Sequence, residues 1–164
     1  MSGLEREIVD LLPRLRRFAR ALARAPADTD DLVQLTVERA LSRRTQWQAG
    51  TRLDSWMFRI MKNAWIDESR ARQRRGGLFA PAEEGEQIGH DGAAAMEARL
   101  GAAEVERAMA RLADDQRLAV ALVLIEGLSY QEAADVLEIP AGTLTSRLVR
   151  GRAALMADLA ERAP

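Results

Sequence analysis

The chain has 164 residues and a formal net charge of −1, with 48% of its residues hydrophobic and only 4% aromatic. That is enough apolar material for a real core in one domain or two small ones, and the dominance of Ala, Leu, Arg and Glu over Thr, Tyr and Phe points to an all-α protein. The sequence has no cysteine, which excludes disulfides and thiolate zinc sites, and the lone His90 has no His or Cys partner with which to share a metal.

The N-terminal stretch carries Glu5, Glu7 and Asp10 where a secretory signal would be basic and then apolar. The longest apolar run, residues 118–125, is far too short to cross a bilayer, so a cytoplasmic protein without membrane insertion is expected. Hydrophobic periodicity predicts a first helix over about residues 4–25, which Pro13 would kink or divide, a second over 29–44 and a third over 52–74. In the third, Leu53, Trp56, Met57, Ile60 and Ala64 form one buried stripe. Arg59, Lys62, Asn63, Ile66 and Arg70 fall on another side, so one face should pack while the other binds.

Residues 76–92 are rich in Gly, Ala and Glu, include Pro81 and show no sustained period, which reads as a flexible linker between two helical modules. Beyond it, helices are predicted at 94–112 and 114–126, the latter capped by acidic residues and stopped by Gly127. No internal repeat is visible.

Residues 128–154 then read as a helix-turn-helix. Ser129 can cap a helix, Glu132 completes the capping box, and Ala133, Ala134, Val136 and Leu137 supply the buried side. Ile139-Pro140 breaks this helix, and a second starts near Ala141, with Leu144, Leu148 and Leu155 inward and Thr143, Ser146, Arg147 and Arg150 outward. A helix, a sharp turn and a basic-polar helix form a geometry suited to the DNA major groove; the plainer alternative is a helical hairpin with a solvated face. Charge placement favours DNA. Arg59, Lys62, Arg70, Arg72, Arg74 and Arg75 face only Asp67 and Glu68 in their stretch, and Arg147, Arg150 and Arg152 meet no acid in theirs. The acidic Glu83, Glu84, Glu86 and Asp91 lie between these two basic patches.

In order and spacing, three strings resemble signatures of bacterial sigma factors of the extracytoplasmic-function group. They are Asp30-Asp31-Leu32-Val33-Gln34, then Ser55-Trp56-Met57-Phe58-Arg59-Ile60 followed by Asn63, then Gly127-Leu128-Ser129-Tyr130-Gln131-Glu132-Ala133-Ala134 through Ile139-Pro140-Ala141-Gly142-Thr143-Leu144-Thr145-Ser146-Arg147. The stretch Gln48-Ala49-Gly50-Thr51-Arg52-Leu53 resembles the alphaproteobacterial general-stress subgroup.

The resemblance implies sigma domain 2 at residues 1–75, a linker at 76–93 and sigma domain 4 at 94–164. It also implies binding to core RNA polymerase, recognition of two promoter elements and help in opening the DNA. Asp31, Gln34 and Glu38 would meet the polymerase clamp. At the minus-ten element, Asn63 matches the family's base-reading asparagine, with Arg59 and Lys62 beside it for phosphates and Ile66 and Arg70 on the same face. The loop at residues 46–52 would form the wall that receives an extruded base, and Trp65 is the best stacking candidate among three tryptophans that otherwise read as packing residues. Thr143, Thr145, Ser146, Arg147 and Arg150 would meet the minus-thirty-five element.

Two positions depart from common patterns: Thr145 stands where many relatives carry Arg, and Glu138 where simpler helix-turn-helix motifs favour Gly. An anti-sigma factor covering both modules is the implied inhibitor, with Val149 and Leu159 as exposed apolar side chains for it to bury. No cofactor is expected. An enzyme is disfavoured by the lack of a glycine-rich phosphate loop, a Ser-His-Asp set or a metal-ligand cluster. The competing readings are a sigma-like decoy that sequesters an anti-sigma factor and a helix-turn-helix repressor, the latter leaving the first 75 residues unexplained.

Overall fold

The computed structural model describes residues 1–23, 25–75 and 93–162, and their regular structure is entirely helical. The predicted linker, with Pro81, His90 and the acidic residues Glu83, Glu84, Glu86 and Asp91, lies outside the described residues.

Helix α1 (Gly3–Leu22) opens on a capping box: the Glu5 amide donates to Ser2 Oγ at 3.3 Å while the Ser2 amide donates to the Glu5 carboxylate at 3.2 Å. Pro13 sits inside α1 without dividing it, and it does so on the exposed side, where water can satisfy the backbone group that a proline frees. The helix ends three residues before the predicted boundary because Ala23 is extended and Pro26 begins the next one. Helix α2 (Pro26–Ser42) therefore starts earlier than the predicted Thr29, as the fixed φ of proline suits a first helical turn. A short 3-10 turn (Arg44–Gln46) and a loop through Gly50, at φ +90°, lead into α3 (Leu53–Arg74).

These three helices share a core of Leu15, Phe18, Leu22, Met57, Phe58 and Met61, all fully enclosed. Phe18 and Phe58 meet edge to face with centroids 5.0 Å apart, an arrangement the ring quadrupoles favour.

The second group comprises α4 (Ala93–Arg111), α5 (Asp114–Val120), α6 (Tyr130–Leu137) and α7 (Ala141–Arg162). Instead of one α-helix from 114 to 126, the chain widens after Val120 into a π-helical turn (Ala121–Ile125). The Glu126 amide donates to the Ala121 carbonyl at 2.9 Å and the Leu128 amide to Leu122 at 3.0 Å, with Gly127 at φ +73° making the reversal. The capping box at Ser129 and Glu132 forms as expected, with both bonds near 3 Å. Ala133, Ala134, Val136, Leu137, Leu144, Leu148 and Leu155 are all buried, so the two helices of the predicted helix-turn-helix meet through the expected side chains.

The two groups touch along α3 with α6, and along α1 with α4, α5 and the π turn. Within the second, α5 and α7 approach so closely that a Cβ on Gly151 would lie 3.0 Å from Val120 Cγ2, 3.1 Å from Gln116 Cβ and 3.3 Å from the Gln116 carbonyl oxygen. Gly151→Ala should therefore destabilise the fold by about 1–3 kcal/mol despite alanine's better helix propensity, because the buried Val120 cannot step aside. Gly142→Ala, at an open position of the same helix, should be neutral or stabilising. Thermal unfolding of the two variants side by side checks the contrast.

Candidate nucleic-acid interface

On α2, Asp31, Gln34 and Glu38 are all exposed and share one polar face, with Gln34 Nε2 donating to Glu38 Oε1 at 3.2 Å. Asp31 also borders a cavity of about 190 Å³ between α2 and α3, walled by Leu32, Leu35, Trp65 and Arg72 and reached by Asp114 from α5.

On α3 the expected open face is covered, since α6 lies across it. Arg59 Nη2 donates to the Asp135 carbonyl at 2.9 Å, and its Nε stands 4.0 Å from Glu138. Lys62 is only 5% exposed, with its Nζ 3.8 Å from Glu138 Oε2. Burial pushes the Lys62 pKa below the ordinary lysine value, and the nearby Glu138 carboxylate offsets part of that shift. Trp65 is buried, with the Arg117 guanidinium 5.7 Å from its ring centroid, so its face is not open to a base in this arrangement. Asn63 and Ile66 are half-buried and Arg70 is exposed. In the preceding loop Trp47 is half-buried and its indole Nε1 has no hydrogen-bond partner.

The second helix of the helix-turn-helix, α7, presents Thr145 and Arg150 to solvent, while Thr143, Ser146 and Arg147 are half-buried. Thr145 Oγ1 donates to the Ala141 carbonyl at 3.0 Å, Arg150 donates to Ser146 Oγ at 2.7 Å, and Arg147 Nε lies 3.5 Å from Asp115. Arg147 also lines a cleft of about 320 Å³ whose opposite wall is Lys62, Trp65, Ile66 and Arg70. Part of each predicted DNA-reading set thus faces the same space, while Arg59, Asn63, Thr143, Thr145, Ser146 and Arg150 stand outside it. Of the two apolar side chains expected at the surface, Val149 is 63% exposed, but Leu159 packs partly against the core.

Several groups at the seam were not singled out by sequence. The Glu126 side chain is fully enclosed and accepts both Arg17 Nε at 2.8 Å and Arg17 Nη2 at 2.9 Å, with Arg14 at 3.5 Å. Arg14 also donates to Asp54 at 3.0 Å, and Arg52 holds the same carboxylate at 2.7 and 3.1 Å while pairing with Glu132. Arg117, only 2% exposed, donates to the carbonyls of Leu22, Ala110 and Leu112. No periodic signal marks these residues, because the partners that place them at the seam lie tens of residues away: Glu126 from Arg17, Glu132 from Arg52, and Leu22 from Arg117.

Fold and site together define an all-helical, DNA-facing protein in which a three-helix unit abuts a helix-turn-helix unit. The chain matches the sigma2 domain of PhyR over residues 8–62 and sigma-70 region 4 over residues 102–155. It is 34% identical over 162 residues to the ECF RNA polymerase sigma factor EcfG of Rhodopseudomonas palustris, covering 96% of this chain and 86% of that one. It is 36% identical over 160 residues to the ECF sigma factor SigE of Mycolicibacterium smegmatis, covering 90% of this chain and 58% of that one. Among solved structures it is similar to the sigma factor RpoE from Bartonella quintana, determined in complex with the anti-sigma factor NepR, with a TM-score of 0.81 and 28% identity over 99% of this chain and 100% of that one. It is also similar to CnrH in complex with the cytosolic domain of CnrY, with a TM-score of 0.67 and 26% identity over 99% of this chain and 93% of that one. The chain belongs to the extracytoplasmic-function group of RNA polymerase sigma factors, which are transcription initiation factors and not enzymes. No helix among the described residues is long and apolar enough to cross a membrane.

Burial opposes ionisation of Asp54, but hydrogen bonds from Arg52, Arg14 and the Ser55 amide outweigh it and hold its carboxyl below the usual aspartate range. The stabilisation is therefore complete above the ordinary aspartate pKa, about 4, and is lost as pH falls through the depressed value. Asp54→Asn should cost about 1–3 kcal/mol near neutral pH, and this deficit relative to the parent should shrink in acid. Urea titrations of both proteins across that range would reveal it, and a pH-independent difference would contradict the assignment.

Proposed function

We propose that this chain binds core RNA polymerase through the α2 face of Asp31, Gln34 and Glu38. It would read a minus-ten element with Arg59, Lys62, Asn63, Ile66 and Arg70, with Trp65 uncovered for stacking. It would read a minus-thirty-five element with Thr143, Thr145, Ser146, Arg147 and Arg150. Residues 1–75 and 94–164 act as the two working domains, joined by 76–93. The observation that carries this reading is the pairing of an exposed polar stripe on α2 with a capped helix-turn-helix whose Thr145 and Arg150 are open to solvent.

The setting is the cytoplasm, where polymerase works, and the programme is a stress response. The likeness to EcfG and the sequence at residues 48–53 support that assignment. Control by an anti-sigma factor is supported by the similar sigma factor RpoE having been solved with the anti-sigma factor NepR, and the exposed Val149 offers one apolar contact.

Reconstitution with core polymerase on a genomic fragment library should yield transcripts that depend on the added chain; failure to associate with core polymerase would end this reading. Changing Asp31 and Gln34 together to Lys should weaken core binding without unfolding α2, since lysine keeps helix propensity. A polymerase titration checks this.

For DNA, Arg147→Ala and Arg150→Ala should weaken the upstream element by about 1–3 kcal/mol each if their contacts are bidentate to bases, with no equal loss on scrambled DNA. Asn63→Ala should spare upstream binding and impair opening, as read by permanganate reactivity of the melted strand.

A further inference from the structure

The seam between α1–α3 and α4–α7 has a consistent polarity. Among the ion pairs of the described residues that cross it, every base belongs to the first group and every acid to the second. Arg14 and Arg17 meet Glu126, Arg20 meets Glu106, Arg52 meets Glu132, and Arg59 and Lys62 meet Glu138. An acidic surface laid against cations that suit phosphates reproduces what DNA would present.

Glu138 is the most telling member. It closes α6 at φ 57° and ψ 43°, the left-handed conformation that glycine adopts freely, and it is the only non-glycine residue with positive φ among those described. The turn itself needs no carboxylate. From this position the side chain reaches both Arg59 and Lys62, while the Asp135 carbonyl one helical turn back takes the Arg59 guanidinium. Lys62, nearly enclosed, would be a costly buried cation without this acid beside it.

We propose that the α6 end, through Glu138 and the Asp135 carbonyl, is an internal stand-in for nucleic-acid phosphate. The closed arrangement and single-stranded DNA then compete for Arg59 and Lys62, and the free chain masks its own minus-ten face. The inference rests on the DNA-facing reading of those two residues. Because Glu138 is 62% exposed at its side chain, its pairs are individually weak and screened by salt. Such a mask yields to a partner that offers several phosphates at once.

The chain lacks cysteine, so Val9→Cys on α1 with Ala160→Cys on α7, both at exposed positions outside the proposed DNA-reading sets, permits spin labels on either side of the seam of the full chain. In that background Glu138→Gln keeps the backbone demand and removes the charge, Glu138→Gly removes both, and Glu161→Gln, on the exposed α7 surface, controls for net charge. Both Glu138 variants should shift the inter-label distances toward a longer, broader distribution. Both should also tighten binding of a short mixed-sequence single strand by about two- to fivefold, as when the competent fraction rises from about a tenth to between a fifth and a half. Glu161→Gln should do neither.

Unchanged distances in Glu138→Gln, or a response confined to Glu138→Gly, would overturn the proposal. So would a longer distance with no gain in DNA affinity. Arg59→Ala added to Glu138→Gln separates the premises: if DNA affinity there does not fall, the DNA role of Arg59 fails independently of what the distances show.

Discussion

One buried guanidinium governs how the halves of this molecule meet. A charge taken out of water survives in a fold only if its hydrogen bonds are restored, and the last turn of a helix offers carbonyls that have no partner of their own together with the negative end of the helix dipole. Arg117 uses both: rising from α5, it reaches Leu22 at the end of α1 and Ala110 and Leu112 at the end of α4, and its plane lies over Trp65 of α3. Four helices from both groups are thereby referred to a single side chain. The position of α5 fixes the π turn that follows, and the π turn fixes where Glu126 enters the seam.

Glu126 completes the clasp in the opposite sense. Its enclosed carboxylate is held bidentately by Arg17 and approached by Arg14, which in turn helps hold Asp54 at the start of α3. Breaking a buried pair one-sidedly strands a charge, whereas separating the halves returns both partners to water. The clasp is therefore specific without being irreversible: it penalises a misaligned closed form far more than an open one. The same reasoning explains why a DNA-facing protein has a net charge of −1. Acids of the second half are matched to bases of the first, so local fields, and not the sum, decide what each face attracts.

How much of this was legible beforehand depended on the range of the interaction. The capping box at Ser129 and Glu132, the break at Ile139-Pro140 and the inward Leu144, Leu148 and Leu155 are short-range patterns, and they appear as read. Pro13 does not divide α1, because the effect of a proline depends on which side of the helix faces water, and α2 starts at Pro26, ahead of the Thr29 that hydrophobic periodicity marks. The widening at Ala121–Ile125 leaves no mark in an apolar run that suits α and π geometry equally. For the site, Asp31, Gln34, Glu38 and Arg150 are exposed as their spacing suggested, whereas Thr143, Ser146 and Arg147 are half-buried. Lys62 and Trp65 are buried by α6 and α5 residues far away in the chain, and no local period reports such a contact.

Under the proposed reading, the composition of α3 answers two environments that its second face would occupy in turn. A surface that only bound DNA would be basic and polar throughout, and one that only packed would be apolar. This face alternates Arg59, Lys62 and Arg70 with Trp65 and Ile66, and in the closed arrangement each kind finds a complement in the other half: Glu138 and the Asp135 carbonyl for the cations, Leu118 and Leu137 across the cleft for the apolar groups. Against a melted strand the same alternation would meet phosphates and base faces in turn. The mixed polarity that weakens the face as a core element would let it exchange one complement for the other without leaving either kind of group unpaired.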